Sequence, residues 1–227
     1  MSNYWLTFKL KSDAAFGRGE GVAGLLDQEV QHDDFGCPYL GGRAIKGILV
    51  NECADILAAL PRPLYERWGK IAHLLFGWPG SDQQAGARLR IGDATLPTPL
   101  HGAIVDALQT PGATFSRTDV LTSLTTVRRQ TAMDETGVPD EATLRTIRLI
   151  VRETPFAASL VLMDQSLSAA ETEDCLTLFA ACVKAFRRVG TGRNRGHGLL
   201  YQVELRDHTQ TLLTDRYFDR FCQEVLQ

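Results

Sequence analysis

Two glycine-rich turns carry most of the chemistry this sequence can offer. The later one, residues 190–198, reads Gly190-Thr191-Gly192-Arg193-Asn194-Arg195-Gly196-His197-Gly198 and follows Arg187 and Arg188. No acidic residue occurs between positions 185 and 201. Glycines let a backbone approach a phosphodiester closely, and guanidinium groups give its oxygens charge-assisted hydrogen bonds. The loop is therefore expected to bind a polyanion. The plain alternative is a solvated turn after a helix, where cations complement the dipole. The earlier turn, Gly41-Gly42-Arg43-Ala44-Ile45-Lys46-Gly47, opens a predicted helix. Its free amides, with Arg43 and Lys46, suit an anion, although a glycine-opened helix with two solvated cations would read the same way.

Asp27 is a loop carboxylate ahead of that helix. Beside bound phosphates, such an acid can hold Mg²⁺ or orient a ribose hydroxyl; most isolated loop aspartates are merely solvated. His197 lies inside the arginine loop, where phosphate contact or a structural role is a better reading than general-base work. Gly19-x-Gly21-x-x-Gly24 matches the dinucleotide fingerprint in letters. Glu20 inside it, and Asp27, Glu29, Asp33 and Asp34 after it, place negative charge where a pyrophosphate would sit. The P-loop pattern is absent.

Composition sets the bounds. The chain has 227 residues, 44% of them apolar and 22% charged, with a net charge of −3. This is globular composition, and it excludes a globally basic nucleic-acid binder but not a locally basic one. Of 24 basic residues, five are lysines and nineteen arginines. Arginine's planar fork suits phosphates and stacks on bases, though GC-rich coding also favours it. Five cysteines, none in a Cys-x-x-Cys pair, point to a reduced, cytoplasmic compartment. Cys175 and Cys182 lie seven apart on a predicted helix and read as packing residues. Neither cysteines nor histidines show metal-ligand spacing, so no structural zinc site is expected. No apolar run reaches membrane-spanning length, and the N-terminus lacks a secretory signal pattern.

The elements that must position these residues follow from periodicity. Residues 4–11 alternate, with Trp5, Thr7 and Lys9 on one face and Leu6, Phe8 and Leu10 on the other, which predicts a half-buried strand. Ile45, Ile48, Leu49, Cys53, Ile56, Leu57 and Leu60 recur at helical spacing before Pro61. A shorter helix is predicted over 65–75, and a strand over 88–96 with Leu89, Ile91 and Asp93 on one side. Residues 112–153 read as two extended arms meeting at a tip near Gly137 and Pro139 and projecting from the core. A strand over 156–163 follows. Ser168 caps a helix with Leu176, Phe179, Ala180, Val183 and Phe186 on its buried stripe, running out at Arg187-Arg188. A strand over 199–205 and a helix over 213–226 close the chain. The order predicts an α+β, ferredoxin-like (RRM-type) β-α-β-β-α-β domain over residues 1–227, with a β-hairpin thumb inserted at 112–153 and both helices on one sheet face.

These residues together resemble the RAMP superfamily, the repeat-associated proteins of CRISPR effector complexes. The likeness runs along nearly the whole chain. Lys11-Ser12-Asp13 through Asp27 is similar to the first strand and glycine-rich loop. Pro38-Tyr39-Leu40-Gly41-Gly42 with Ile45-Lys46-Gly47 resembles the family's helix entry. Leu75-Phe76-Gly77 and the strand ending Asp93-Ala94 follow suit. Arg128-Arg129-Gln130 with Thr136-Gly137 and Pro155-Phe156 resembles the thumb segment, and residues 190–198 the signature C-terminal loop. The pattern is most similar to type III systems, and residues 11–27 to their III-D branch.

The resemblance implies a backbone-type subunit that binds guide CRISPR RNA and target RNA beside other effector subunits, with no membrane partner. It implies RNA contacts at Arg18, Arg43, Lys46, Arg128, Arg129, Arg193, Asn194, Arg195 and His197. It further implies target cleavage at Asp27 with Mg²⁺ or Mn²⁺. Asp27 stands nineteen residues before Lys46, and Glu29 occupies a position where the family often has proline. Other expectations are a non-catalytic subunit that caps the guide end or serves as scaffold, and a guide-processing endoribonuclease with His197 as base. A fourth is a nucleotide-dependent enzyme using the first glycine loop.

Overall fold

The structure is a computed structural model that describes residues 2–17, 19, 21, 26–77, 86–131 and 144–226. Arg18 and the predicted thumb tip lie outside the described residues.

Its centre is a four-stranded antiparallel sheet of β1 (Ser2–Leu10), β2 (Leu89–Thr95), β5 (Pro155–Leu162) and β6 (Leu200–Asp207), ordered β2-β5-β1-β6. β1 and β2 lie apart with β5 between them, joined by the crossover through α1 (Gly42–Ala58) and α2 (Arg62–Phe76). α5 (Ala169–Ala185) then leads from β5 to β6. This is the ferredoxin-like arrangement the element order predicts. Leu6, Phe8 and Leu10 face the core as their alternation requires, with Phe8 stacked on Phe156 at 5.5 Å and edge-on to Phe186 at 5.9 Å. Trp5, Thr7 and Lys9 line a groove on the opposite sheet face.

Ser168 and Glu171 form a reciprocal capping box that starts α5, as the Ser168 position predicts. Cys175 through Val183 are all buried, because α1, α2, α6 (Thr214–Val225) and the sheet enclose that helix. The helix ends at Ala185, short of Arg187-Arg188; Arg188 instead bridges Leu199. Burial pushes the Cys175 thiol up to about 12, consistent with packing rather than reactivity.

Three local features depart from the sequence reading. β2 bulges between Ile91 and Ala94, so Asp93 leaves the side of Leu89 and is exposed. Residues 98–109 form a helix, α3 (Thr98–Gln109), with no buried residue. The first arm of the 112–153 segment is not extended; it holds α4 (Arg117–Leu124), started by a Ser116–Asp119 capping box. After it, β3 (Thr125–Gln130) pairs antiparallel with β4 (Arg145–Ile150), from Thr125 opposite Ile150 to Gln130 opposite Arg145. The base of this hairpin does not project freely. Leu149 and Ile150 are fully buried, Ile150 bridges Ala14, and Gln28 bridges Ile147.

Candidate nucleic-acid interface

The glycine loop 190–198 folds back on the segment after β1. Thr191 donates its N–H to Ala15 O at 2.9 Å, and Gly198 donates to Asp13 O at 2.9 Å. Two glycines are required by this packing. At Gly190 (φ 77°) a Cβ would lie 2.4 Å from Ala15 O, and at Gly198 (φ 69°) 1.8 Å from Val189 O. Between them a single 3-10 turn, Arg193–Arg195, exposes both guanidiniums and Asn194. Arg188 donates to the Arg193 carbonyl and holds that turn.

The hairpin base closes the other side. Gln130 at the end of β3 donates its amide to His197 Nε2 at 3.0 Å, and Gln28 donates to Thr191 Oγ1 at 3.1 Å. The result is an open groove of about 550 Å³ lined by Gln28, Gln130, Arg145, Arg193, Arg195 and His197, with Ile147 and the loop glycines. Three exposed arginines, two on the loop and one on the hairpin, thus border one groove together with two side-chain amides, an arrangement able to donate to successive phosphates.

Asp27 sits at the edge of this groove, one residue before Gln28, and is exposed. Its N–H donates to Thr146 O at 2.8 Å, and Thr146 N–H donates to Asp27 Oδ2 at 2.6 Å. One carboxylate oxygen is thus engaged in fastening the loop to β4. Glu29, two residues on, is 6% exposed and pairs with Arg148 Nε at 2.8 Å. This ion pair rivets the same loop to the same strand. Asp13 ties both hairpin arms, accepting from Arg128 Nη2 at 3.2 Å and from Arg152 N–H at 3.1 Å. Arg128 remains largely exposed despite that bond, and Arg129 is exposed.

Arg43 and Lys46 lie elsewhere, on α1, and neither lines the groove. The helix start they flank already holds an anion: Gly42 N–H donates to Asp93 Oδ1 at 2.7 Å. A backbone ladder nevertheless links the two glycine turns. Thr191 bonds to Ala15, Gln31 N–H to Phe16 O at 2.7 Å, and Tyr39 N–H to Gln31 O at 3.0 Å, two residues short of Gly41. Further along α1, burial and Asp55 push the Glu52 carboxyl up, while Arg187 and Arg193 pull it back.

The structure therefore brings Arg193, Asn194, Arg195, His197 and the Asp27 loop together. It places Arg128 and Arg129 on the adjoining hairpin, and Arg43 and Lys46 on α1. It adds Arg145, Gln28, Gln130 and Thr191, which the sequence reading missed. Alternation on β4 carried a signal for Arg145, because positions 145, 147 and 149 share one face and Ile147 and Leu149 are apolar. No helix among the described residues is long and apolar enough to cross a membrane.

No curated protein matches the chain. Among solved structures, it resembles a chain of the type III-B Cmr-beta complex bound to cognate target RNA. The TM-score is 0.59 at 12% identity, covering 88% of this chain and 96% of the other. It likewise resembles a chain of Cmr-beta in the apo state, with TM-score 0.60, 12% identity and coverage of 91% and 97%. The sequence model of the RAMP superfamily matches residues 7–201, a span holding every strand start of the sheet after β1 and the whole arginine groove. On that match, the chain belongs to the RAMP superfamily.

Proposed function

We propose that this chain is a guide-RNA-binding subunit of a type III CRISPR ribonucleoprotein, working beside other effector subunits and supporting metal-dependent cleavage of target RNA at Asp27. The observation that carries the proposal is the groove in which Arg145, Arg193 and Arg195 converge between the glycine loop and the hairpin base. Family membership and the fold shared with Cmr-beta chains support the assembly.

In this reading the arginines grip guide phosphates, and the loop glycines let the strand lie against backbone. Gln28 and Gln130 offer amide groups to ribose or base edges. The hairpin, carrying Arg128 and Arg129, reaches the guide–target duplex. Asp27 presents its carboxylate at the groove edge, positioned by Thr146 N–H, to accept a hydrogen bond from a target 2′-hydroxyl. One exposed carboxylate fits a hard cation that takes most of its ligands from phosphates and water, and does not make a site able to hold the ion without RNA. Asp27 would hold Mg²⁺ or Mn²⁺, which would supply positive charge to stabilise the negative charge that develops on cleavage.

Guide-RNA affinity measured against salt tests the groove. Arg145→Gln, Arg193→Gln and Arg195→Gln should each flatten the log–log slope by about one. Unchanged slopes would refute the assignment. Asp27→Ala in the assembled complex should abolish target cleavage and spare guide binding.

A second reading has its own observation. Asp27 already spends an oxygen on Thr146, as a purely structural carboxylate would. Cleavage unaffected by Asp27→Ala would select this non-catalytic scaffold. The engagement of His197 with Gln130 weighs against His197 as the base of a guide-processing enzyme.

A further inference from the structure

Between Asp27 and α1 the chain makes a tight turn at residues 33–37. Asp33 Oδ1 accepts the backbone N–H groups of Phe35 and Cys37, each at 2.9 Å, and Asp33 N–H donates to Cys37 O at 3.0 Å. Cys37 is left only 2% exposed. The other carboxylate oxygen, Oδ2, stands 2.7 Å from His101 Nε2, and the His101 ring meets Phe35 edge-on at 5.9 Å. His101 belongs to α3, 68 positions along the chain from Asp33. One ligand atom from each of Asp33, Cys37 and His101 lies within 4.8 Å of the others.

We propose that Asp33, Cys37 and His101 form a binding site for one thiophilic divalent transition-metal ion, with Zn²⁺ as the expected occupant. The donor set is a thiolate, an imidazole and a carboxylate, which selects zinc and its neighbours over Mg²⁺ or Ca²⁺. Zinc bonds of about 2.0–2.3 Å would set tetrahedral ligand atoms roughly 3.3–3.7 Å apart. The Asp33–His101 pair stands at 2.7 Å and no two of the three ligand atoms are more than 4.8 Å apart, so side-chain adjustments of about 1 Å would bring them to that spacing. Asp33 is oriented from behind, because its second oxygen is fixed by two amides, as metal-binding carboxylates usually are. On its other side the turn borders a cavity of about 500 Å³ lined by Asp33 with His32, Asp34, Tyr39 and Arg117.

The ion would clamp the loop that begins at Asp27 onto α3, a helix that buries none of its own residues. The site is chemically distinct from the hard-cation chemistry proposed at Asp27. It was invisible to ligand spacing because its members come from two remote segments. The competing account is a metal-free Asp33–His101 hydrogen bond beside a thiol that only packs.

Co²⁺ titration of the full-length, chelator-treated chain separates the two. The metal site predicts one Co²⁺ per chain, a thiolate-to-cobalt charge-transfer band in the near ultraviolet, and displacement by one equivalent of Zn²⁺. Zn²⁺ should raise the Tm of the wild-type chain and leave those of Cys37→Ala and His101→Gln unmoved. His101→Gln should weaken Co²⁺ binding by at least about tenfold. His101 is partly exposed, so this variant decides the matter even if Cys37→Ala fails to fold. A wild-type chain with no thiolate band, or a band that survives in a folded Cys37→Ala variant, overturns the proposal.

Discussion

Replacing Arg148 with methionine removes the cation from the rivet between the Asp27 loop and the hairpin. Glu29 would then be stranded at 6% exposure, keeping among the described residues only the N–H of Val30 at 2.9 Å, on the oxygen that now also faces Arg148. Removing one partner of a buried pair costs about 3–5 kcal/mol. Arg148→Met should therefore lose roughly 3–5 kcal/mol at neutral pH. Adding Glu29→Leu should recover much of the loss, because no charge is then left buried. Urea unfolding of the wild type, the single variant and the double variant gives the numbers. Amide exchange over residues 26–30 and 145–150 shows whether the loosening is local. A single-variant deficit below about 1 kcal/mol, or one that Glu29→Leu leaves unrelieved, would overturn the buried-pair assignment.

Three further outcomes follow from particular residues. Gly198→Ala drives a Cβ to 1.8 Å from Val189 O and should collapse the arginine loop and its RNA affinity. Gly196→Ala meets nothing within 4 Å and should cost only the left-handed backbone strain, about 1–2 kcal/mol in thermal unfolding. Backbone and side-chain hydrogen bonds from Ser168 hold the Glu171 carboxyl below its ordinary 4.5. Its folded value is therefore lower than its unfolded one, so its contribution is present above pH 4.5 and lost as pH falls through the folded value. The Tm gap between wild type and Glu171→Ala should shrink on acidification below pH 4.5, and a gap that widens there would contradict the capping box.

The sheet and its two long helices were legible because their signals are local and strong. Leu6, Phe8 and Leu10 alternate, Ile45 to Leu57 recur at helical spacing, and Ser168 starts a capped helix. The misses have physical causes. α3 buries no residue and α4 buries only Val120, so neither prints a clear apolar stripe. The β2 bulge shifts the register by means that alternation cannot show, turning Asp93 from a strand-face residue into the ligand of the α1 amide. For the candidate site, the arginine loop announced itself through composition. Arg145 and Gln130 are contributed by the hairpin, and their meeting with His197 depends on how the hairpin base docks against Ala14 and Gln28. Pairings such as Glu29 with Arg148 and Asp33 with His101 are long-range contacts that no local window contains.

Photo-crosslinking of guide RNA carrying reactive nucleotides to the assembled complex, read by mass spectrometry, asks whether one RNA strand lies in the groove between residues 190–198 and the hairpin base. Adducts are expected on the 190–198 loop and on the β4 side around Arg145, lost when Arg145, Arg193 and Arg195 are all changed to glutamine. Adducts confined to other surfaces of the chain, such as α6 or the groove beside Trp5, would contradict it.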